Sequence, residues 1–304
     1  MKILITGGAG HIGSKLFDSL SKIKRIKKIY IIDNFLTDKY NSFFKLPNKV
    51  VLINKNLISF NLNKLPKINL AIHLASITNA AVSFNNKKDV FKNNISCTKK
   101  IVKFCETKLI KLVYPSSTSV YGSARKIVYE NSNNSLKPQS PYAQSKIKEE
   151  KIILNSKKIK YIIFRLGTIY GISPGMRFHT AINKFCFETA NKLPLTIWKK
   201  NYYQIRPYLF LGDFIRVVKK IIINENIKFN NIYNLVNNNL KLFEVIKIFK
   251  KYDKSLKLNF VNTKLLNQMS YIVSNDKILS TKFKFKGNIN KEIFKTLKMI
   301  EKRK

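Results

Sequence analysis

Short, unbroken apolar runs recur through the first half of the chain. They are KILIT (Lys2 to Thr6), KIYIID (ending at Asp33), VVLIN from Val50, NLAIHLAS from Asn69, KLVYPSS from Lys111 and YIIFRLG from Tyr161. Each is continuous and rich in β-branched residues instead of alternating, the pattern of strands covered on both faces. Between the first two, HIGSKLFDSLSKI sets Ile12, Leu16 and Leu20 on one helical face. Strands that alternate with helices predict an α/β fold with a doubly wound parallel sheet. After about Gly171 the rhythm breaks. GISPGMRFH predicts a loop, Thr180 to Asn191 a helix, LPLTIW and YYQIRPYLFL short strands, and GDFIRVVKKIII a helix opened by Asp213. The expected division is a first domain over 1–170 and a smaller lobe over 171–304, with segments around 205–225 returning to the first domain.

Two of these junctions carry candidate chemistry. TGGAGHIG spaces Gly7, Gly10 and Gly13 as G-x-x-G-x-x-G between a strand and a helix. Glycines there let the backbone approach a pyrophosphate, and the helix N-terminus offers free N–H groups and a positive dipole end. Asp33 ends the next strand, 20 positions after Gly13. A carboxylate in that place accepts from ribose hydroxyls and repels a 2′-phosphate, which favours NAD over NADP. The competing reading is a tight strand–helix turn without a ligand. Farther on, SPYAQSK puts Tyr142 and Lys146 four apart on one helical face. A neighbouring ammonium favours the phenolate, so such a tyrosine can act as base toward a hydroxyl or as acid toward a ketone. YPSSTSVYG adds Ser117 just past a strand, at the carboxyl edge where open α/β sheets bind ligands. Taken singly, Tyr142 also reads as a packed aromatic, Lys146 as a surface lysine, Ser117 as a turn cap, Arg206 as a solvated strand residue and Asp213 as a helix N-cap.

Taken in order, these stretches resemble the extended short-chain dehydrogenase/reductases of the NAD-dependent nucleotide-sugar epimerase/dehydratase family, most nearly the general pattern of UDP-galactose 4-epimerases. TGGAGHIG, IDN, HLAS, NNISCTKKIV, SSTSVYG, SPYAQSK, FRLGTIYG and IRPYLFLGD follow one another as the family segments do. The resemblance implies an NAD-binding Rossmann domain followed by a substrate lobe. Its cofactor contacts carry over to Gly7, Gly10, His11, Ile12, Gly13, Asp33, Asn34, Asn56, Leu74, Ala75, Ser76, Asn94, Tyr142 and Lys146. Its catalytic set carries over to Ser117, Tyr142 and Lys146, and its substrate contacts to Ser117, Thr168 and Arg206, with Arg206 on the diphosphate. The chain departs from the pattern in three places. Asn56 stands where an aspartate usually faces adenine, Thr168 stands where many epimerases carry asparagine, and no second diphosphate arginine is evident near the C-terminus. Dehydratases of the group carry Asp-Glu where this chain has Thr118 and Ser119, and decarboxylating relatives use a glutamate in the same segment. The expected reaction is therefore epimerisation of a nucleotide-diphosphate sugar at C4 through a 4-keto intermediate. The alternatives are a nucleotide-sugar ketoreductase or dehydrogenase, and a non-catalytic NAD-binding regulator. Family members often dimerise through two helices per subunit, here Lys88–Glu106 and Pro141–Asn155.

Composition alters this picture little. A chain with 45% hydrophobic residues has ample material for a core. No apolar stretch nears the roughly 18 residues of a membrane span, and ILI before the glycines is too short for a signal peptide, so a cytoplasmic enzyme is expected. Three cysteines and three histidines, all scattered, suggest neither a disulfide framework nor a metal site. The net charge of +42 invites a polyanion partner. The lysines are spread along the whole length without a nucleic-acid motif, however, and nucleic acid is not the expected partner.

Overall fold

The computed structural model describes residues 1–80, 82–122, 127–131, 136–223, 226–262 and 270–302. In the first half, β1 (Lys2–Thr6), α1 (His11–Ser21), β2 (Lys28–Asp33), β3 (Val50–Asn54), β4 (Leu70–His73), α2 (Lys87–Lys108), β5 (Lys111–Ser117), β6 (Ile127–Val128), α3 (Pro141–Leu154), β7 (Tyr161–Leu166) and β8 (Thr168–Tyr170) follow one another. Then come α4 (Ala181–Ala190), β9 (Leu195–Trp198), β10 (Ile205–Phe210), α5 (Leu211–Ile222), β11 (Asn231–Leu235) and β12 (Asn238–Lys241). The chain ends with α6 (Leu242–Tyr252), β13 (Leu258–Val261), β14 (Ile272–Val273), α7 (Asp276–Leu279) and α8 (Ile289–Glu301).

Seven parallel strands form the main sheet in the order β11-β7-β5-β4-β1-β2-β3. Strand order reverses between β1 and β4, the switch point at which such sheets open a crevice. The strand period of two explains why the apolar runs are unbroken. Ile3, Ile5, Ile29, Ile31, Val113, Ile162 and Phe164 pack into a core with Leu16, Leu20, Phe214 and Val218 of α1 and α5. Their neighbours Leu4, Ile32, Leu112, Tyr114 and Ile163 point the other way, onto Ile101 and Cys105 of α2 and Ile153 of α3. Every residue of these strands therefore has a buried face to fill, and a polar one is tolerated only where the strand ends. A third cluster, built on Phe185, Ile197, Ile246, Phe249, Ile293 and Leu297, belongs to α4, β9, α6 and α8.

The main sheet draws on the second half of the chain through α5, which packs on α1, and through its edge strand β11. β10 instead joins β12 and β8 in a separate three-stranded sheet. One local expectation needs correction. Asp213 does not cap α5, because the helix starts at Leu211 with Phe210 in the cap position. Asp213 is buried in the first turn. There it accepts from the backbone N–H groups of Lys286 and Gly287 and from Asn237 Nδ2, and it pairs with Arg216. It anchors the segment leading into α8. Capping by the sequence rules does hold at α3, where Ser140 accepts from Ala143 N and Pro141 occupies the first turn.

Candidate active site

The strands of the main sheet end together, and the chain departs from each end into a functional segment. After β1, Gly7 has φ +73°, and a Cβ there would lie 2.6 Å from Ala75 N. A Cβ on Gly13 would come within 2.5 Å of Gly7 O. These two glycines are therefore required by the protein's own packing. Gly10 is not, since a Cβ would meet only Gly7 O, at 3.5 Å. Gly10 occupies the cap position of α1 without a side-chain acceptor, and no acidic residue lies in the first turn. The first-turn N–H groups and the positive end of the helix dipole are left for an anion. After β2, Asp33 is half-buried; its Oδ2 accepts from Ala9 N at 2.8 Å and its Oδ1 from Phe35 N at 2.8 Å. Asn34 and Asn56 are exposed and each accepts from the backbone two residues on, Leu36 N at 3.3 Å and Ile58 N at 2.9 Å.

After β4, Leu74 N donates to Thr6 O and Ala75 N to Thr6 Oγ1, which seats Leu74 and Ala75 against the glycine turn. Ser76 carries a buried hydroxyl with no partner among the described residues. Asn94 of α2 is fully buried and clamps both backbone groups of Ile77, accepting from its N–H and donating to its C=O, while also donating to Ser145 Oγ. It shapes the segment that would line a cofactor. Open space at Gly10, an unclaimed helix N-terminus, a carboxylate at the end of β2 and an orphan hydroxyl at Ser76 fit a dinucleotide.

The catalytic candidates stand on β5 and α3. Ser117 is half-buried at the end of β5, and its Oγ accepts from Ser119 N at 3.2 Å, capping the turn 118–121. Ser119 Oγ is buried without a partner among the described residues. Tyr142 opens α3 half-exposed, and the buried Lys146 Nζ sits 5.7 Å from the centre of its ring. The same Nζ donates to Tyr114 Oη at 3.0 Å and to Glu149 Oε2 at 3.3 Å. Burial, reinforced by Glu149, raises Tyr114 well above the ordinary phenol value and keeps its hydroxyl neutral. Beneath this site Arg165 grips Glu150 and donates to Tyr121 Oη at 3.0 Å, fixing the turn that follows Ser117.

Thr168 and Arg206 lie on the three-stranded sheet, not on the main one. Arg206 is half-buried and donates to Gln204 Oε1 at 2.9 Å; burial above all holds its guanidinium below the ordinary value. Between it and the turn after Ser117 stands Tyr271, which burial raises above the ordinary phenol value against the opposing pull of the Thr118 bond and the Arg206 charge, and whose hydroxyl donates to Thr118 Oγ1 at 3.2 Å. His11 is buried against the loop after β8, with Nε2 2.7 Å from Gly171 O. A carbonyl only accepts, so the proton is on Nε2. Burial, helped by Arg177, lowers His11 to about 3.

Several residues here went unnoticed in the sequence. The loop over 171–178 straps the glycine turn: Gly175 N donates to Ser14 Oγ at 2.9 Å and Lys39 Nζ to Met176 O at 2.9 Å. Contact is so close that a Cβ at Gly175 would fall 2.1 Å from Ala9 O. Arg177 donates to Thr78 Oγ1 at 2.7 Å, and the phenol of Tyr142 is near enough to act on its charge. GISPGMRFH reads as a loop, but nothing in it announces a partner some 160 residues earlier.

The chain is similar to known proteins over most of its length. It is 31% identical over 236 residues to a Bacillus subtilis protein described as an uncharacterized UDP-glucose epimerase, covering 73% of this chain and 72% of that one. It is 31% identical over 259 residues to a dTDP-D-glucose 4,6-dehydratase of Dictyostelium discoideum, covering 77% of this chain and 58% of the relative. Its fold superposes on the UDP-glucuronic acid 4-epimerase of Bacillus cereus with a TM-score of 0.90, at 23% identity and over the whole of both chains. The UDP-N-acetylglucosamine 4-epimerase of Methanobrevibacter ruminantium gives a TM-score of 0.86 at 21% identity, over 100% of this chain and 99% of that one. The family model for the NAD-dependent epimerases and dehydratases matches residues 3–235, from β1 to the edge strand β11, and the chain belongs to that family.

Proposed function

We propose that the protein epimerises a nucleotide-diphosphate sugar at C4, using NAD. The observation that carries this reading is the Tyr142–Lys146 pair, 5.7 Å from ammonium to ring, beside a glycine turn that fits a dinucleotide. Gly10 and the first turn of α1 would hold the pyrophosphate, Asp33 the adenosine ribose, and Lys146 the ribose near the reacting carbon. Bound NAD would supply the hydride acceptor for oxidation at C4 and, once reduced, the hydride donor for the reverse step. Tyr142 takes the proton of the sugar hydroxyl on oxidation and gives it back on reduction, and Lys146 stabilises the phenolate between these events. Ser117 orients the reacting oxygen and Arg206 holds the diphosphate. Thr118 and Ser119 are hydroxyl residues where a water-eliminating enzyme needs a carboxylic acid and a carboxylate, which favours epimerisation over dehydration.

The test is incubation with NAD and a panel of nucleotide sugars, followed by chromatographic separation of epimers. Interconversion in both directions without net NADH supports the reading, whereas stoichiometric NADH formation or consumption makes the protein a dehydrogenase or ketoreductase. No conversion of any nucleotide sugar would leave only cofactor binding. Among the described residues no helix is long and apolar enough to cross a membrane, which accords with a cytoplasmic enzyme. The same reading includes a dimer through α2 and α3, which pack together. Lys87, Lys88, Lys148 and Lys151 crowd the groove between them, so association should strengthen with salt. A monomer by light scattering at both low and high salt would refute the dimer.

A further inference from the structure

Glu149 is a fully buried carboxylate that none of the roles above requires. It sits two turns beyond Tyr142 and three residues after Lys146, with Oε2 3.3 Å from the Lys146 ammonium. Its neighbour Glu150 is engaged by Arg165; among the described residues Glu149 pairs with no arginine, and Lys146 is the one cation in contact with it. Hydrogen bonds converge on it. Thr98 Oγ1 donates to Oε2 at 2.8 Å, and Ser145 Oγ lies 3.3 Å from Oε1. The direction of the Thr98 bond orders a longer chain. With its proton given to Glu149, Thr98 can only accept from His73 Nε2 at 3.2 Å, so His73 Nδ1 accepts from Thr6 Oγ1 at 2.6 Å. Thr6 in turn accepts from Ala75 N at the glycine turn. Glu149 is thus the terminus of a directed polar chain running through the sheet from the cofactor segment to the catalytic lysine.

We propose that Glu149 is a positioning residue for the proton transfer: it fixes the Lys146 ammonium and offsets part of its charge, and so sets the pH range over which Tyr142 can accept a proton. The inference rests on the epimerase reading for its functional meaning. Among the described residues, Tyr114 and Glu149 take two of the three Lys146 N–H groups. The charge felt at Tyr142 is accordingly that of a buried ion pair, not of a lone cation. Other titratable groups face this cluster: His73 from β4, Tyr114 from β5, Cys97 from α2, Glu150 from α3 and Arg177 from the loop over 171–178. Burial keeps His73 neutral, lowered to about 3, and raises Cys97 to about 11, so neither changes charge across the working range. Arg177 adds positive charge within electrostatic reach of Tyr142, and the Glu150 charge is met by Arg165.

Glu149→Gln isolates the charge. The amide oxygen can still accept from Lys146 and Thr98, and the amide N–H₂ can donate to Ser145 Oγ, so the polar chain stays connected. The full-length protein, saturated with NAD, is labelled with tyrosine carrying carbon-13 at the ring carbon that bears the hydroxyl. Tyr142→Phe identifies the signal among the 14 tyrosines. In Glu149→Gln the Tyr142 signal should titrate about one pH unit lower than in the parent, and the acidic limb of the turnover profile should move with it. Glu149→Asp, which draws the carboxylate back by one methylene, should move both the same way by less, and it stands in if the amide variant does not fold. A purely structural Glu149 would lower the melting temperature and leave both profiles in place, which would overturn the inference. So would movement to higher pH, because Lys146 would then have lost its charge along with its partner. If the Tyr142 signal moves as expected but no nucleotide sugar is turned over, the inference stands and the epimerase reading falls.

Discussion

Asp33 is the residue whose replacement tests the cofactor site most directly, because its two oxygens do two jobs at once. Each accepts one backbone N–H at 2.8 Å, from Ala9 in the glycine turn and from Phe35 beyond the strand. Asn at this position keeps the shape but cannot keep both bonds. Whichever way the amide is turned, its NH₂ faces a backbone N–H. One charge-assisted bond is lost and one donor is left without a partner, at a cost of about 1–3 kcal/mol. In a chain of this size that lowers the melting temperature by roughly 2–6 °C. The second effect is on selectivity. A half-buried carboxylate beside the ribose repels a 2′-phosphate by about 1–3 kcal/mol at the effective dielectric of a protein surface, a factor of roughly 5–150 against NADP. Calorimetric titration of parent and Asp33→Asn with NAD and NADP reads the selectivity, and a thermal melt reads the stability. Preference for NAD should narrow by up to that factor of roughly 5–150, with the melt falling as stated. Equal affinity of the parent for both cofactors would refute the ribose argument. An unchanged melt would refute the claim that the carboxylate fastens the glycine turn.

Other predictions follow from the same geometry. Tyr142→Phe should cut turnover by about 10²–10⁴-fold while NAD still binds, Ser117→Ala should cost less, and Lys146→Met should shift the surviving pH profile upward; near-parental turnover by Tyr142→Phe would defeat the mechanism. Gly175→Ala forces a Cβ to 2.1 Å from Ala9 O, so it should displace the loop and weaken NAD binding, as read by titration of the purified variant. Acid should destabilise the fold through His11 and His73, both buried neutral and lowered to about 3. The unfolded chain binds the protons first, near the ordinary value of about 6.5, so stability present above that value is lost as pH falls toward 3, by up to about 1.4 kcal/mol per pH unit for each histidine. Urea midpoints that stay level from about pH 7 to 5 would contradict this.

The main sheet was legible because its strands are buried on both faces. Ile3, Leu4 and Ile5 must all be apolar when odd and even positions meet different helices, and such runs stand out from a lysine-rich background. The glycine turn, Asp33 and the Tyr142–Lys146 spacing were legible for a different reason: each is a local pattern, complete within one turn or one helix. What escaped notice depends on contacts between distant segments. Asp213 looked like a cap because acidic residues near a helix start commonly are, yet its partners Lys286 and Gly287 lie some 70 residues later. Glu149 was in plain view at the i+3 position from Lys146, but in a helix rich in charged residues such a spacing does not separate a buried pair from a solvated one. Tyr271 and Arg177 come from segments without strong periodicity, and only the folded chain brings them to the site.

The strap across the glycine turn has a thermodynamic consequence. It belongs to the later part of the chain, yet it is fastened to α1 through His11 and Ser14 and to the β2–β3 connection through Lys39. A dinucleotide seated on the glycine turn would therefore meet a surface assembled from the first forty residues and from the middle of the sequence. Ligand binding and the docking of the strap draw on one free energy, so each must favour the other by the same amount. Saturating NAD at a hundred times its dissociation constant would add about 2.7 kcal/mol to the stability of the whole assembly, not of the first domain alone. By the same linkage, a substitution that loosens the strap should weaken the dinucleotide by the same free energy with which the bound dinucleotide steadies the strap.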